Sequence, residues 1–496
     1  MLNNLNSVTN LKPVGLIITG PLSTKGGAMN RNIILLLLDT ARAQDVYGNP
    51  KMANVSRIAK DSTTYLNTVA PGTWTAPTHA ALFTDSKVST IKRVSQDFFS
   101  GGSRKISPWM VDTKFIDGSS STLASKLSKY GYYSVLLSNN PFLTSYTNLA
   151  SGFDKTYDIW KHSNSKYNKK MVDKVSFIFE GGSKTRERIY KASHMISKVI
   201  PRVLLDKVYM DLRLRLDKGV AEADGTYRLD RGANDTNKAL SKYLKYNYNY
   251  APQFIFINYI EAHENYPVSE DILQDKWLYL SGIEEMSEDR MAALHDAYNR
   301  RLAYLDKKIG ETIQVLKSSG MLENATVILT SDHGQMFGEH GLLYHAMPPY
   351  DGIAKVPLIA ANYENGRPVR QREEVETPVS QLSLHKAVLD LASGRYEHLN
   401  GNLRRDKKVF CEHTGISEGW DEQLLSFLKS KSSVADRIYK AKMRHNHKVT
   451  AVYSGKYKLI HYFGKQKDEL YDLQSDPQET SSIIDSNRGI ANSMLG

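Results

Sequence analysis

The segment Asn32–Leu38 reads Asn-Ile-Ile-Leu-Leu-Leu-Leu and stops at Asp39. An unbroken apolar run of this kind suits a parallel strand covered on both faces; a strand with one wet face would alternate apolar and polar residues. It is far short of the roughly 20 residues needed to cross a bilayer. The same grammar recurs along the chain. Ser121–Tyr130 reads as a helix closed by Gly131 before a strand at Tyr133–Leu137, and Thr236–Tyr246 as a helix feeding the strand Gln253–Ile260. Met291–Ser318 carries Leu294, Tyr298, Leu302, Leu305, Ile309, Ile313 and Leu316 at helical spacing, then Gly320, then the strand Ala325–Thr330. Repeated helix-then-strand units predict an α/β fold with a mostly parallel central sheet.

In such sheets the chemistry gathers beyond the carboxyl ends of the strands. Asp39 follows the first strand, Glu261 and His263 follow Gln253–Ile260, and Asp332 and His333 follow Ala325–Thr330. A lone Asp after a strand is more often a turn or cap residue. Three polar clusters at three strand ends favour a ligand set. The chain has one cysteine, Cys411, which excludes a disulfide framework and any multi-cysteine metal site. A bound metal must then be held by Asp, Glu and His, a donor set suited to Mn, Zn, Mg or Ca.

Gly72-Thr73-Trp74-Thr75-Ala76-Pro77-Thr78-His79 opens a further helix, with Thr75 at the N-cap position and Pro77 in the first turn. Taken alone this is a well-capped helix. The same geometry also favours anions and lowers the cost of an alkoxide.

Of the 496 residues 41% are hydrophobic and 24% charged, which excludes a disordered or low-complexity chain. The net charge is +12, and Lys184–Lys218, with ten basic and four acidic residues, holds half of it. A solvated outer face of an inserted helical segment is the favoured reading there, with peripheral contact to an anionic surface as the alternative. Without aromatic platforms or a recognised module, nucleic-acid binding is disfavoured. Residues 1–30 read as an extension (Met29 is an alternative start), 31–404 as the main domain with a variable basic insertion at 155–235, and 405–496 as a small α+β subdomain. The first 28 residues lack the charged-then-apolar order of a secretory signal, so the expected location is cytoplasmic.

Together these segments resemble the sulfatase family of the alkaline phosphatase superfamily. Residues 32–43 look like that family's opening strand and first ligand Asp, followed by Val46-Tyr47-Gly48 and Ala53–Ala59. Thr75–Leu82 is similar to its Cys-x-Pro-Ser-Arg nucleophile motif, and Ser331–Gly341 to its second ligand stretch. Tyr350–Pro357 and Glu469–Glu479 complete the order. The resemblance implies an alkaline-phosphatase-like α/β sandwich and a metal-dependent hydrolase of phosphate or sulfate esters. It implies that Asp39, Asp332 and His333 bind a divalent ion together with the nucleophile Thr75. His263 and His345 would contact the transferred group and the leaving group, with Asn139 or Asn140 binding substrate; a single ion is favoured over two, and, as in the superfamily's two-metal members, the second would sit at Glu261, His263 and His345. His79 stands in the place of the family's Arg.

Three departures redirect the chemistry. A sulfatase converts Cys or Ser at the nucleophile position to formylglycine, and position 75 is Thr. The family's Lys-x-His is replaced by Ser138-Asn139-Asn140, and Asp39 is followed by Thr40 instead of a second acid. Phosphodiester or phosphomonoester work through a covalent threonine intermediate is therefore favoured. The alternatives are transfer of a phospho-group to a glycan or lipid alcohol, and an inactive binding protein for anionic glycans. The expected partner is a small-molecule, glycan or lipid ester.

Overall fold

The structure is a computed structural model that describes residues 31–91, 115–118, 120–162, 201, 204, 206–207, 229–246, 251–268, 274–400, 403, 406–415, 429, 432–464 and 466–496. The extension at 1–30 and almost all of the basic stretch 184–218 lie outside the described residues.

The central feature is a nine-stranded sheet. Eight of its strands are β1 (Asn32–Leu38), β2 (Thr63–Tyr65), β3 (Tyr133–Ser138), β4 (Lys155–Asp158), β5 (Gln253–Tyr259), β6 (Asn324–Thr330), β7 (Leu358–Glu364) and β8 (Glu373–Val375), and the ninth, Arg367–Pro368, pairs antiparallel with β7 alone. Their order is β8-β2-β7-β6-β1-β5-β3-β4. The run from β6 to β4 is parallel throughout, and β7 joins it antiparallel on β6.

Both faces of β1 are covered, as its unbroken apolar run requires. Ile34, Leu36 and Leu38 pack with the helices Ala233–Tyr246 and Glu288–Ser318. Ile33, Leu35 and Leu37 pack against α1 (Thr75–Thr84) and the helix Ser383–Ala392. Each such buried side chain contributes about 1.5–3 kcal/mol before the cost of ordering it. In the 31-residue helix Glu288–Ser318, the expected positions Leu294, Tyr298, Leu302, Leu305, Ile309 and Leu316 are fully buried. Ser287 caps it by accepting from Arg290 N, and Glu288 and Asp289 complement the dipole.

Register places the site. Leu38 pairs with Tyr259, Leu37 with Thr330, and Ser138 with Asn258. Four parallel strands thus end at nearly one level, and the residues that follow them emerge along a single edge.

Beyond this sheet lies a four-stranded antiparallel sheet of β9 (Val409–Thr414), β10 (Lys448–Ser454), β11 (Tyr457–Tyr462) and β12 (Glu469–Asp472). The fully buried Lys458 on β11 pairs with Asp351 at 2.7 Å and with Glu479. Glu479 Oε2 also accepts from Asp351 N at 2.7 Å. The Tyr350-Asp351-Gly352 and Glu469–Glu479 motifs are thereby explained as two halves of one buried ion network. Gly334 and Gly352 mark the tightest approach there, because a Cβ on Gly334 would lie 2.1 Å from Gly352 O.

Candidate active site

Thr75, expected as a helix cap, is instead the first helical residue of α1, and Trp74 holds the cap position with extended backbone. The Thr75 hydroxyl therefore sits at the positive end of the helix, and Oγ1 lies 3.4 Å from His333 Nε2. Asp39, Asp332 and His333 converge beside it, each fully buried.

Asp39 Oδ2 accepts from Asn140 Nδ2 at 2.6 Å. Asp332 Oδ1 accepts from the backbone N–H of Thr40 at 3.2 Å and of His333 at 3.0 Å. The other oxygen of each carboxylate, Asp39 Oδ1 and Asp332 Oδ2, accepts no hydrogen bond among the described residues. Burial, then the neighbouring Asp332, pushes Asp39 up to about 8. Burial pushes Asp332 up to about 7 against the N–H groups that favour its charge. Two buried carboxylates with one orphaned oxygen each, beside a neutral imidazole and a hydroxyl, form a donor set that fits a divalent cation. His333 Nδ1 donates to Gly334 O at 2.9 Å, which fixes the tautomer and leaves Nε2 as the free donor atom.

A second cluster stands on the more open side. His263, Glu264 and His345 keep 21%, 17% and 14% side-chain exposure. Glu264 Oε2 lies 3.3 Å from His263 Nδ1 and 3.2 Å from His345 Nδ1. The His345 ring centroid is 4.7 Å from that of His333 and 4.8 Å from that of His263, so the two clusters are contiguous. Burial lowers both imidazoles, opposed by the Glu264 charge. The Glu264 carboxyl is held well below the usual range by its two histidines in spite of burial.

Two expected site residues, Glu261 and Asn139, point elsewhere, and a third, His79, lies against the site without opening to it. Glu261 is absent from the second cluster: its Oε1 accepts from Arg231 N at 3.0 Å and Ala233 N at 2.8 Å, which caps the helix Ala233–Tyr246. Glu264 stands where Glu261 was expected. Asn139 donates to Thr236 Oγ1 at 2.6 Å, away from the carboxylates, so only Asn140 of the pair reaches the site. His79, within α1 itself, is fully buried, its Nδ1 donating to Thr75 O at 2.8 Å and lying 3.8 Å from Asp332 Oδ2, and its ring edge-on to Phe83 and Phe256. Burial lowers it to about 3, so it is a neutral support of the nucleophile turn.

Sequence reasoning missed Glu264 and two arginines. Arg231 donates to His263 O at 2.6 Å and Glu264 O at 2.8 Å, and Arg301 to Glu261 O and Asn265 O at 3.1 Å each. Two buried guanidiniums thus grip the carbonyls of the loop that displays His263 and Glu264. The Glu-Ala-His-Glu run offered the only hint, since two acids flank one histidine.

A family model described as Sulfatase matches residues 31–394, most of the chain. The chain belongs to the sulfatase family. Choline-sulfatase of Rhizobium meliloti (strain 1021) is 28% identical to this sulfatase-family chain over 205 residues, 41% of this chain and 36% of that protein. Arylsulfatase K of Danio rerio is 33% identical over 106 residues, 21% of this chain and 19% of that protein. The matched stretch spans about a third of the length of choline-sulfatase and less of arylsulfatase K. In structure, the chain superimposes on the phosphonate monoester hydrolase of Agrobacterium radiobacter with a TM-score of 0.58 at 17% identity, covering 94% of each chain. It also superimposes on a 2-O GAG sulfatase with a TM-score of 0.56 at 15% identity, covering 94% of this chain and 91% of that one. These likenesses show the alkaline-phosphatase-like fold. Among the described residues, no helix of this sulfatase-family chain is long and apolar enough to cross a membrane.

Proposed function

We propose that this chain is a metal-dependent ester hydrolase that favours phosphodiesters and phosphomonoesters over sulfates, with Thr75 as nucleophile. The observation that carries the reading is the Thr75 hydroxyl at a helix N-terminus, 3.4 Å from His333 Nε2 and beside two buried carboxylates with orphaned oxygens. Asp39, Asp332, His333 and Thr75 would hold the ion. When bound, a divalent cation supplies charge that favours ionisation of a hydroxyl and offsets negative charge on a transferred group.

Thr75 Oγ1 gives its proton to a solvent water, aided by the helix N-terminus, and forms the bond to phosphorus as the bond from phosphorus to the departing ester oxygen breaks. On the open side His263 and His345 face the substrate. Burial lowers both imidazoles and the Glu264 charge opposes it; negative charge developing on the departing ester oxygen favours the protonated ring further, and that imidazolium gives the oxygen its proton. The resulting neutral imidazole can then take a proton from the water that releases Thr75. Asn140 orients Asp39, and His79 holds the Thr75 carbonyl.

The side-chain chemistry of position 75 supports phosphate over sulfate. Oxidation at Cβ of Cys or Ser yields an aldehyde, whereas the Thr75 Cβ bears a methyl group and could yield only a ketone. The formylglycine route is closed to it. The test compares metal-loaded wild type with Thr75→Ala on aryl phosphodiester, phosphate monoester, phosphonate and sulfate substrates. Loss of phosphoester turnover in the variant is expected, and full retention would sink the assignment. An added acceptor alcohol in the same assay separates hydrolysis from transfer by the product formed.

A further inference from the structure

Three consecutive residues of β9 hold the segment that leads into the nucleophile. Glu412 N donates to Pro71 O at 2.9 Å, and Cys411 Sγ approaches Gly72 O at 3.6 Å. His413 Nδ1 lies 2.9 Å from Thr73 Oγ1. The Glu412 carboxylate accepts from Ser89 N and Ser89 Oγ at 2.7 Å each, in the short turn that follows α1 in the chain. One strand of the C-terminal sheet thus holds both the segment that precedes the Thr75 helix and the turn that follows it in the chain.

The direction of the His413 bonds is determined. Its Nε2 lies 3.0 Å from His445 O, a carbonyl that can only accept, so Nε2 carries the hydrogen. In a neutral ring Nδ1 is then a lone pair, and Thr73 Oγ1 must donate to it. The ring is fully buried, as is Thr73. Thr73 has a second tie, since its carbonyl accepts from Ala346 N at 2.9 Å. Thr73 is two residues before Thr75, and Ala346 is one residue beyond His345. The loop that carries the nucleophile and the loop that carries His345 therefore meet at Thr73, and His413 fixes Thr73 from outside both.

We propose that His413 is a positioning residue for catalysis: through its bond to the Thr73 hydroxyl it sets the separation between Thr75 and His345. This rests on the reading of Thr75 as nucleophile. Catalytic rates are steep in such separations, a displacement of about 1 Å costing on the order of a hundredfold.

The test uses the full-length, metal-loaded chain and an aryl phosphodiester, with kcat and KM measured separately. His413→Gln retains a donor for His445 O but loses the acceptor for Thr73, whereas His413→Asn keeps a carbonyl oxygen near the Nδ1 position. Thr73→Val removes the hydroxyl and Thr73→Ser keeps it. His413→Gln and Thr73→Val are expected to lower kcat about tenfold or more with KM within about twofold. His413→Asn and Thr73→Ser should stay within about threefold of wild type. The double variant His413→Gln/Thr73→Val should be no worse than the poorer single variant, because both cut one link. His413→Asn should melt as early as His413→Gln, since each breaks one buried bond, so kcat and Tm part company. Full kcat in His413→Gln and Thr73→Val, or a kcat loss that tracks Tm across all the variants, overturns the proposal.

Thr75→Ala is the internal control. If it remains active the nucleophile reading fails, whereas an inactive Thr75→Ala beside a fully active His413→Gln defeats the positioning role alone. Should wild type turn over none of the esters, Mn²⁺ affinity by titration calorimetry decides. Thr75 would be one of the ligands, so His413→Gln and Thr73→Val should bind about tenfold more weakly and the two conservative variants like wild type. Equal affinity in all of them overturns the proposal.

Discussion

Asn140 Nδ2 donates to Asp39 Oδ2 at 2.6 Å, joining residues 101 positions apart. One end of the amide is anchored as well, because Asn140 Oδ1 accepts from Phe142 N at 2.9 Å. The side chain is therefore held as it presents its donor, and Asp39 is left with one free oxygen aimed into the site.

Asn140→Leu removes that donor without adding charge. Partners that orient a metal ligand typically contribute ten- to a hundredfold in affinity. The variant should bind Mn²⁺ at least about tenfold more weakly in a calorimetric titration. Wild-type affinity would remove Asn140 from the site.

The carboxylates make stability depend on pH in a way that metal should reverse. Asp39 at about 8 and Asp332 at about 7 lie above the ordinary value of 3.8. An acid raised on folding stabilises below its unfolded pKa and loses that contribution as pH rises through the folded value. The chelator-treated protein should therefore melt at progressively lower temperature from pH 6 to pH 8.5. The metal-loaded protein should not show this fall, and loading should release more protons at pH 6 than at pH 9. Identical profiles with and without metal would count against both ligands.

Glu264 and Glu261 should separate cleanly. Glu264→Gln removes the charge between His263 and His345 and should lower kcat about a hundredfold, in the range of general acid–base contributions. Glu261→Gln weakens a helix cap and should cost about 1–2 kcal/mol of stability, read by urea denaturation, with metal stoichiometry unchanged. The opposite pattern would return Glu261 to the site.

Lys458→Met should be the most destabilising of these changes. It leaves Asp351 and Glu479 buried without their cation, and breaking one partner of a buried pair costs about 3–5 kcal/mol. A urea midpoint within experimental error of wild type would show that the network carries no such strain.

The strands were legible because a parallel strand covered on both faces must be apolar throughout. Asn32–Leu38 and Gln253–Tyr259 therefore announce themselves, and the rule that chemistry follows such strands points to Asp39, Asp332 and His333. The strand Glu469–Asp472 of the C-terminal sheet carries no such signal, since two of its four residues are acidic and it is short. The choice between Glu261 and Glu264 could not be read at all. They are three residues apart in an irregular loop with no periodicity, and the backbone carbonyls held by Arg231 and Arg301 decide which one faces His345.

The sequence by itself determined the sheet, its buried faces and the residues delivered at its edge, because those follow from local patterns of apolarity and chain direction. Tertiary structure alone decided which polar side chains meet. Asn140 reaches Asp39 while Asn139 turns to Thr236, and His413 crosses from another sheet to Thr73. The physical reason is that a buried polar atom must find a partner, and the partner that satisfies it can stand anywhere along the chain.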